Sequence, residues 1–141
     1  MNEGSLEVRL GVDEEVRRQL LLEGLRDFIQ GFPGWNIFIT QTFAHSISAD
    51  RSDMAIERVQ RFLESSLRRP HGFLGAELHR SGTVHLHGLI GASGDVSRKR
   101  LWERLHRRFG FSRIEPVRSH EQVTAYCTKY VTKRLAEWVL W

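Results

Sequence analysis

The sequence predicts an α+β fold, a single antiparallel sheet built in the order β-α-β-β-α-β. This is the split βαβ, or ferredoxin-like, arrangement. Three observations predict it. Four segments, "NIFITQTF", "FLGAELH", "TVHLHGLI" and "FSRIEPV", read as strands. Two stretches between them carry apolar residues at helical spacing. Only Arg80, Ser81 and Gly82 separate the second strand from the third, a loop of hairpin length with glycine where positive φ is needed.

Ahead of this frame, residues 12–30 predict a helix. Asp13 is its N-cap, Glu14 and Glu15 lie in its first turn, and Val16, Leu20, Leu21, Leu25 and Phe28 form an apolar stripe. "GFPGW" stops it, and residues 36–43 form the first strand. Residues 52–68 form a helix with Ile56, Val59, Phe62, Leu63 and Leu67 on one side, ended by "RRPHG". Residues 73–79 and 83–90 make the hairpin. Ser97 caps the next helix, with Leu101, Leu105 and Phe109 inward and Gly110 as its stop. Residues 111–117 are an edge strand, because Pro116 cannot donate to a ladder. "SHEQ" (Ser119 to Gln122) is a capping-box pattern that opens a final helix through about Val139. Two helices then cover one sheet face and leave the other bare.

The chain of 141 residues supplies one domain with a core. We expect a helical extension over residues 1–34 and a catalytic core over residues 35–134. Hydrophobic and charged contents of 40% and 27% are those of a globular protein, and no apolar run spans a membrane. The first residues lack a signal-peptide pattern, and the single cysteine, Cys127, excludes an internal disulfide. The expectation is an intracellular protein, cytoplasmic in a bacterial or archaeal host. Lys and Arg outnumber Asp and Glu by 21 to 17, and the isoelectric point is near 9.8. This excess suits either a polyanionic partner or a solvated basic surface.

Chemistry concentrates in two places. In "TVHLHGLI", His85 and His87 share a strand face, about 7 Å apart at Cα. With His79 and Thr83 flanking the hairpin loop, Glu77 lies directly opposite His85 and near His87, about 5 Å away at Cβ. Leu74, Ala76, Leu78, Val84, Leu86 and Ile90 then face the core. A carboxylate among apolar neighbours needs a partner. Glu77, His85 and His87 therefore form either a divalent-metal site with open positions or a Glu77–His85 ion pair. His79, at the hairpin's end, reads as a surface histidine. The second place is "AYCTKYVTK". On a helix Tyr126 and Tyr130 share a face, and Lys129 and Lys133 follow them by one turn each. The pattern is either amphipathic packing or a pair of phenols with cations at hand for phosphate chemistry.

Together these motifs resemble the HUH endonucleases, and among them the rolling-circle replication initiators (Rep proteins). "FITQTF", with Thr40 and Thr42, looks like the family's first motif. "HLH" looks like its metal motif, with Glu77 as the upstream acidic ligand. "YCTKY" looks like its tyrosine motif. The resemblance implies site-specific nicking and rejoining of single-stranded DNA, at an origin or hairpin, through a 5′-phosphotyrosine intermediate. It implies a divalent metal, Mn²⁺ or Mg²⁺, on Glu77, His85 and His87. Tyr126 would be the first nucleophile and Lys129 the phosphate partner. Tyr130 would be a second nucleophile or a packing residue. Thr40, Thr42, Lys133 and Arg134 would contact DNA. The sequence has no Walker-type loop, so a host or replicon helicase is the expected unwinding partner.

Three other readings compete. One is a single-strand tyrosine transposase of the same superfamily. Another is a non-catalytic module that binds nucleic acid on its sheet face. The third is a histidine-based nucleotidyl hydrolase, although "HLHG" offers two alternating histidines where that class has three.

Overall fold

A computed structural model describes residues 3–131 and 137–141, with side chains described for residues 14–130 and 137–141. A long helix, α1 (Glu3–Gly31), precedes β1 (Ile37–Gln41). A 3₁₀ turn (Ala49–Arg51) leads into α2 (Ser52–Ser66), then β2 (His71–Leu78), β3 (Val84–Gly91), α3 (Arg98–Phe109) and β4 (Ser112–Pro116). A short helix, α4 (His120–Tyr126), widens into a π turn (Cys127–Val131), and β5 (Glu137–Leu140) follows. The order β-α-β-β-α-β is thus present, inside a longer chain of elements.

The sheet is antiparallel throughout, in the order β4-β1-β3-β2-β5. β4 lies on an edge, as Pro116 requires. The β2–β3 register sets Glu77 opposite His85 and Leu78 opposite Val84. His79 and Thr83 close the hairpin by a backbone hydrogen bond of 2.9 Å, and Gly82 adopts φ +83°.

Strand alternation divides the interior into two cores. Ile37 and Ile39 of β1, Leu74 and Ala76 of β2 and Val84, Leu86 and Ile90 of β3 pack with Ile56, Val59 and Leu63 of α2 and Leu101 and Leu105 of α3. On the opposite face, Phe73 and Leu89 pack with Leu25 and Ile29 of α1, Trp35, and Val123, Tyr126 and Cys127 of the C-terminal segment. One buried polar pair on the first face is internally satisfied: Ser112 Oγ donates to Gln41 Oε1 at 2.6 Å, and Gln41 Nε2 donates to the carbonyls of Thr42 and Phe111.

Four expectations are corrected. The second sheet face is not bare, because α1 and α4 cover part of it. The final helix does not reach Val139. Residues 137–140 extend and pair with β2, whose far edge would otherwise lack a neighbour. There Val139 and Trp141 turn to the first core, and Trp138 and Leu140 to the second. Leu78 is 49% exposed at the hairpin mouth, not in the core. In α1, Leu25 and Ile29 are buried, whereas Val16, Leu20, Leu21 and Phe28 are 51–63% exposed. Only the last turns of α1 lie against the sheet. They are tied there by Trp35, whose indole N–H donates to the Ile29 carbonyl at 2.8 Å.

No helix among the described residues is long and apolar enough to cross a membrane.

Candidate active site

The second sheet face stops being apolar toward the β2–β3 hairpin. Phe73 and Leu89 lie under α1 and α4, and the same face then runs through His87 to Glu77, His85 and His79. Glu77 Oε2 stands 2.7 Å from His87 Nε2. Ligand atoms of Glu77, His79 and His87 all lie within 4.8 Å of one another. His79 is exposed, Glu77 half-buried and His87 buried.

His87 is the anchored member. Thr40 pairs with it across the β1–β3 ladder, and Thr40 Oγ1 lies 3.4 Å from its Nδ1. Burial pushes the His87 imidazole below its ordinary pKa, and the Glu77 carboxylate only partly pulls it back. The ring is therefore neutral at pH 7, the form that binds a metal. Although Nε2 and the carboxylate are close, they are out of hydrogen-bond alignment, and Nε2 has no hydrogen-bond partner. A buried, neutral nitrogen facing a carboxylate, with a second imidazole in reach, fits a divalent cation. The ring nitrogen on the Thr40 side is held by a neighbour, as metal-binding histidines usually are.

His85 sits differently. Its ring lies against that of His79, centroids 3.7 Å apart, and burial followed by His79 lowers its pKa. The compact group of three thus contains His79, which sequence reasoning left on the surface, while His85 stands beside it. The signal for His79 was available: it is two residues from Glu77 and so shares its face.

The C-terminal segment brings the tyrosines over this row. The Tyr130 ring stacks on the His87 ring at 4.0 Å and 23°. Lys129 Nζ lies 5.1 Å from the Tyr130 ring centroid. Tyr126 is 5.0 Å from Tyr130, between Phe38 at 5.4 Å and Phe73 at 6.4 Å. Its hydroxyl is buried with no hydrogen-bond partner. Burial, with Cys127 and Tyr130 adding, holds its phenol well above the ordinary value near 10. Of the two phenols, Tyr130 is the one laid against the histidine cluster, whereas Tyr126 sits in the apolar core. The π turn that starts at Cys127 separates their environments, and such turns recur at functional sites.

Beside the tyrosines opens a cleft of about 350 Å³, lined by Phe38, Thr40, Arg113, Gln122, Lys129 and Tyr130 among others. Arg113 pairs with Thr40 across the β1–β4 ladder, which puts its guanidinium in the same cross-sheet row as His87. Thr42 lies just past β1 and is half-buried. Lys133 and Arg134 lie outside the described residues.

Comparison with curated proteins gives no match. Among solved structures, the chain is similar to the hypothetical protein ORF119 from Sulfolobus islandicus rod-shaped virus 1, at 18% identity and a TM-score of 0.46, over 77% of this chain and 92% of that one. The family comparison is more specific: residues 36–135, the sheet with its histidines and tyrosines, match the family of replication-associated proteins of the ORF2 type. The chain belongs to that replication-associated family.

Proposed function

We propose that the protein is a metal-dependent, HUH-type endonuclease that nicks and rejoins single-stranded DNA to initiate rolling-circle replication. The observation that carries this reading is the stack of Tyr130 on His87, because it sets a phenol beside a two-His, one-Glu donor group. Glu77, His79 and His87 would hold the cation, with His85 alongside. A divalent ion there supplies Lewis acidity to a phosphate oxygen. Imidazole donors favour Mn²⁺ over Mg²⁺.

The protein's own groups do the rest. The Tyr130 oxygen attacks the scissile phosphorus and loses its proton. A tyrosine–phosphate bond forms to the 5′ side as the bond to the 3′ oxygen breaks, and that oxygen leaves as a 3′-hydroxyl with a proton. The ester is exchanged, so reversal by a 3′-hydroxyl rejoins the strand. Lys129 and Arg113, both on the cleft wall, offset phosphate charge. Thr40 orients His87. Tyr126, 5.0 Å from Tyr130, is the second phenol for a return step once its hydroxyl is uncovered.

The sheet-face binding module is less well supported, since α1 and α4 occupy part of the face on which such a module would stack bases. The test is incubation with a pool of single-stranded oligonucleotides and Mn²⁺, followed by denaturing electrophoresis and peptide mapping. The expected result is a covalent adduct on the peptide containing Tyr126 and Tyr130. Binding without any adduct would support the module instead.

A further inference from the structure

We propose a second DNA site: the groove between α2 and α3, on the side of the sheet away from the tyrosines, holds the sugar-phosphate backbone of duplex DNA. The inference rests on the preceding reading only for the choice of DNA as the polyanion.

Charge is the first observation. α3 carries six Lys or Arg and one Glu over its 12 residues, a formal +5, against +4 for the entire chain. The basic excess of the protein is therefore concentrated on one helix. Its placement is not explained by helix stability. Arg98, Lys99 and Arg100 occupy the first turn, with no acid there. At that end the helix dipole disfavours cations, by about 0.3–1 kcal/mol each.

Arrangement is the second observation. At one end of the groove Arg68, Arg100 and Arg104 line a hollow of about 230 Å³. Farther along, Arg58 and Arg108 line another of about 460 Å³. Arg51 joins them at the far end. All six are exposed. The acids nearby are few: Asp95 lies in the first hollow, and Glu57 pairs with Arg61. Arg104 rests its guanidinium 5.2 Å over the Phe62 ring, which holds it ready at low entropic cost.

The chemistry selects phosphates over bases. Phe43, Phe62 and Phe109, the rings along this groove, pack edge-to-face on one another at 84° and 85°. They offer no stacked platform of the kind that binds single strands. The arginine row runs the length of α3, about 18 Å at 1.5 Å per residue. That matches about five base pairs of duplex backbone. The active-site row faces the opposite side of the sheet, so a strand being cut there leaves the groove free for the adjoining duplex.

The test uses the full chain, a labelled mixed-sequence duplex of about 20 base pairs and fluorescence anisotropy across a salt series. Each lost phosphate contact removes about 0.9 from the slope of log affinity against log salt. The triple variant R100Q/R104Q/R108Q should flatten the slope by about 2–3, while R100K/R104K/R108K keeps most of it. Adduct formation on a short single-stranded oligonucleotide should be unchanged in both. An unchanged duplex slope in the glutamine variant would overturn the proposal. An equal loss on single strands of the same length would also overturn it, by making the groove a single-strand track. If the wild type forms no adduct yet loses duplex binding through these arginines, the nicking reading falls and the duplex site stands.

Discussion

The ring of Tyr130 lies parallel to the ring of His87 at 4.0 Å, so a residue of the C-terminal segment is registered directly on a residue of the central strand β3. The neighbouring phenol, Tyr126, is enclosed by Phe38 and Phe73 instead. This contrast orders the two tyrosines. Tyr130→Phe should reduce the first-cleavage adduct by at least about 10³-fold, the scale for loss of a covalent nucleophile. Tyr126→Phe should leave that first adduct and impair rejoining. An adduct lost in Tyr126→Phe and kept in Tyr130→Phe would reverse the order. Stability gives a second readout. The Tyr126 hydroxyl is buried without a partner, and removing such a group relieves about 1–3 kcal/mol. Tyr126→Phe should therefore raise the urea midpoint, and a lowered midpoint would mean that this hydroxyl has a partner.

The donor cluster makes a separate prediction. Glu77→Gln, His79→Ala and His87→Ala should each weaken Mn²⁺ binding by at least about 10–100-fold, the cost of losing even an outer-shell partner. His85→Ala should cost less, because its ring supports His79 by stacking. Calorimetric titration of Mn²⁺ into each variant reads this without DNA. If His85→Ala proves as damaging as His87→Ala and His79→Ala harmless, the ligand set is the one first read from the HLH motif.

Much of this site was legible in the chain. Loop length and the glycine at 82 fixed the hairpin register, and period-two alternation then put Glu77, His85 and His87 on one face. His79 was misjudged because position at a hairpin's end says nothing about the direction of the ring, although its two-residue offset from Glu77 did. The C-terminus misled for another reason. "EWVLW" follows a helical segment and continues its apolar spacing, yet its pairing with β2 is a long-range contact that no local pattern encodes. Likewise the stripe on α1 is real as a pattern, but its burial depends on how far along the helix the sheet extends.

That last point is testable by a pair of truncations on one helix. Ile29 is fully buried against the second sheet face, whereas Leu20 is 62% exposed. Ile29→Ala should cost about 2–5 kcal/mol, the range for a large aliphatic residue emptied from a core. Leu20→Ala should stay within about 0.5 kcal/mol, as for other surface changes. Urea unfolding of both variants decides it. Equal small effects would mean that α1 does not dock on the sheet.

Cys127 offers a probe of the turn that carries the tyrosines. Its side chain is fully buried in the second core, and burial pushes its thiol up to about 11. Only the thiolate reacts with disulfide reagents. At pH 8 the native protein should therefore label at least about 100-fold more slowly than the chain in guanidinium, even before restricted access is counted. The same shift sets a sign for stability. The folded state holds its thiol proton through a pH range in which the unfolded chain has lost it, so stability should fall as pH rises from about 9 toward about 11. Cys127→Ser replaces the thiol with a hydroxyl that does not ionise in this range, and should remove this part of the decline. Native labelling at the unfolded rate would show that the segment from Cys127 to Val131 opens freely, and that Tyr130 is not held on His87.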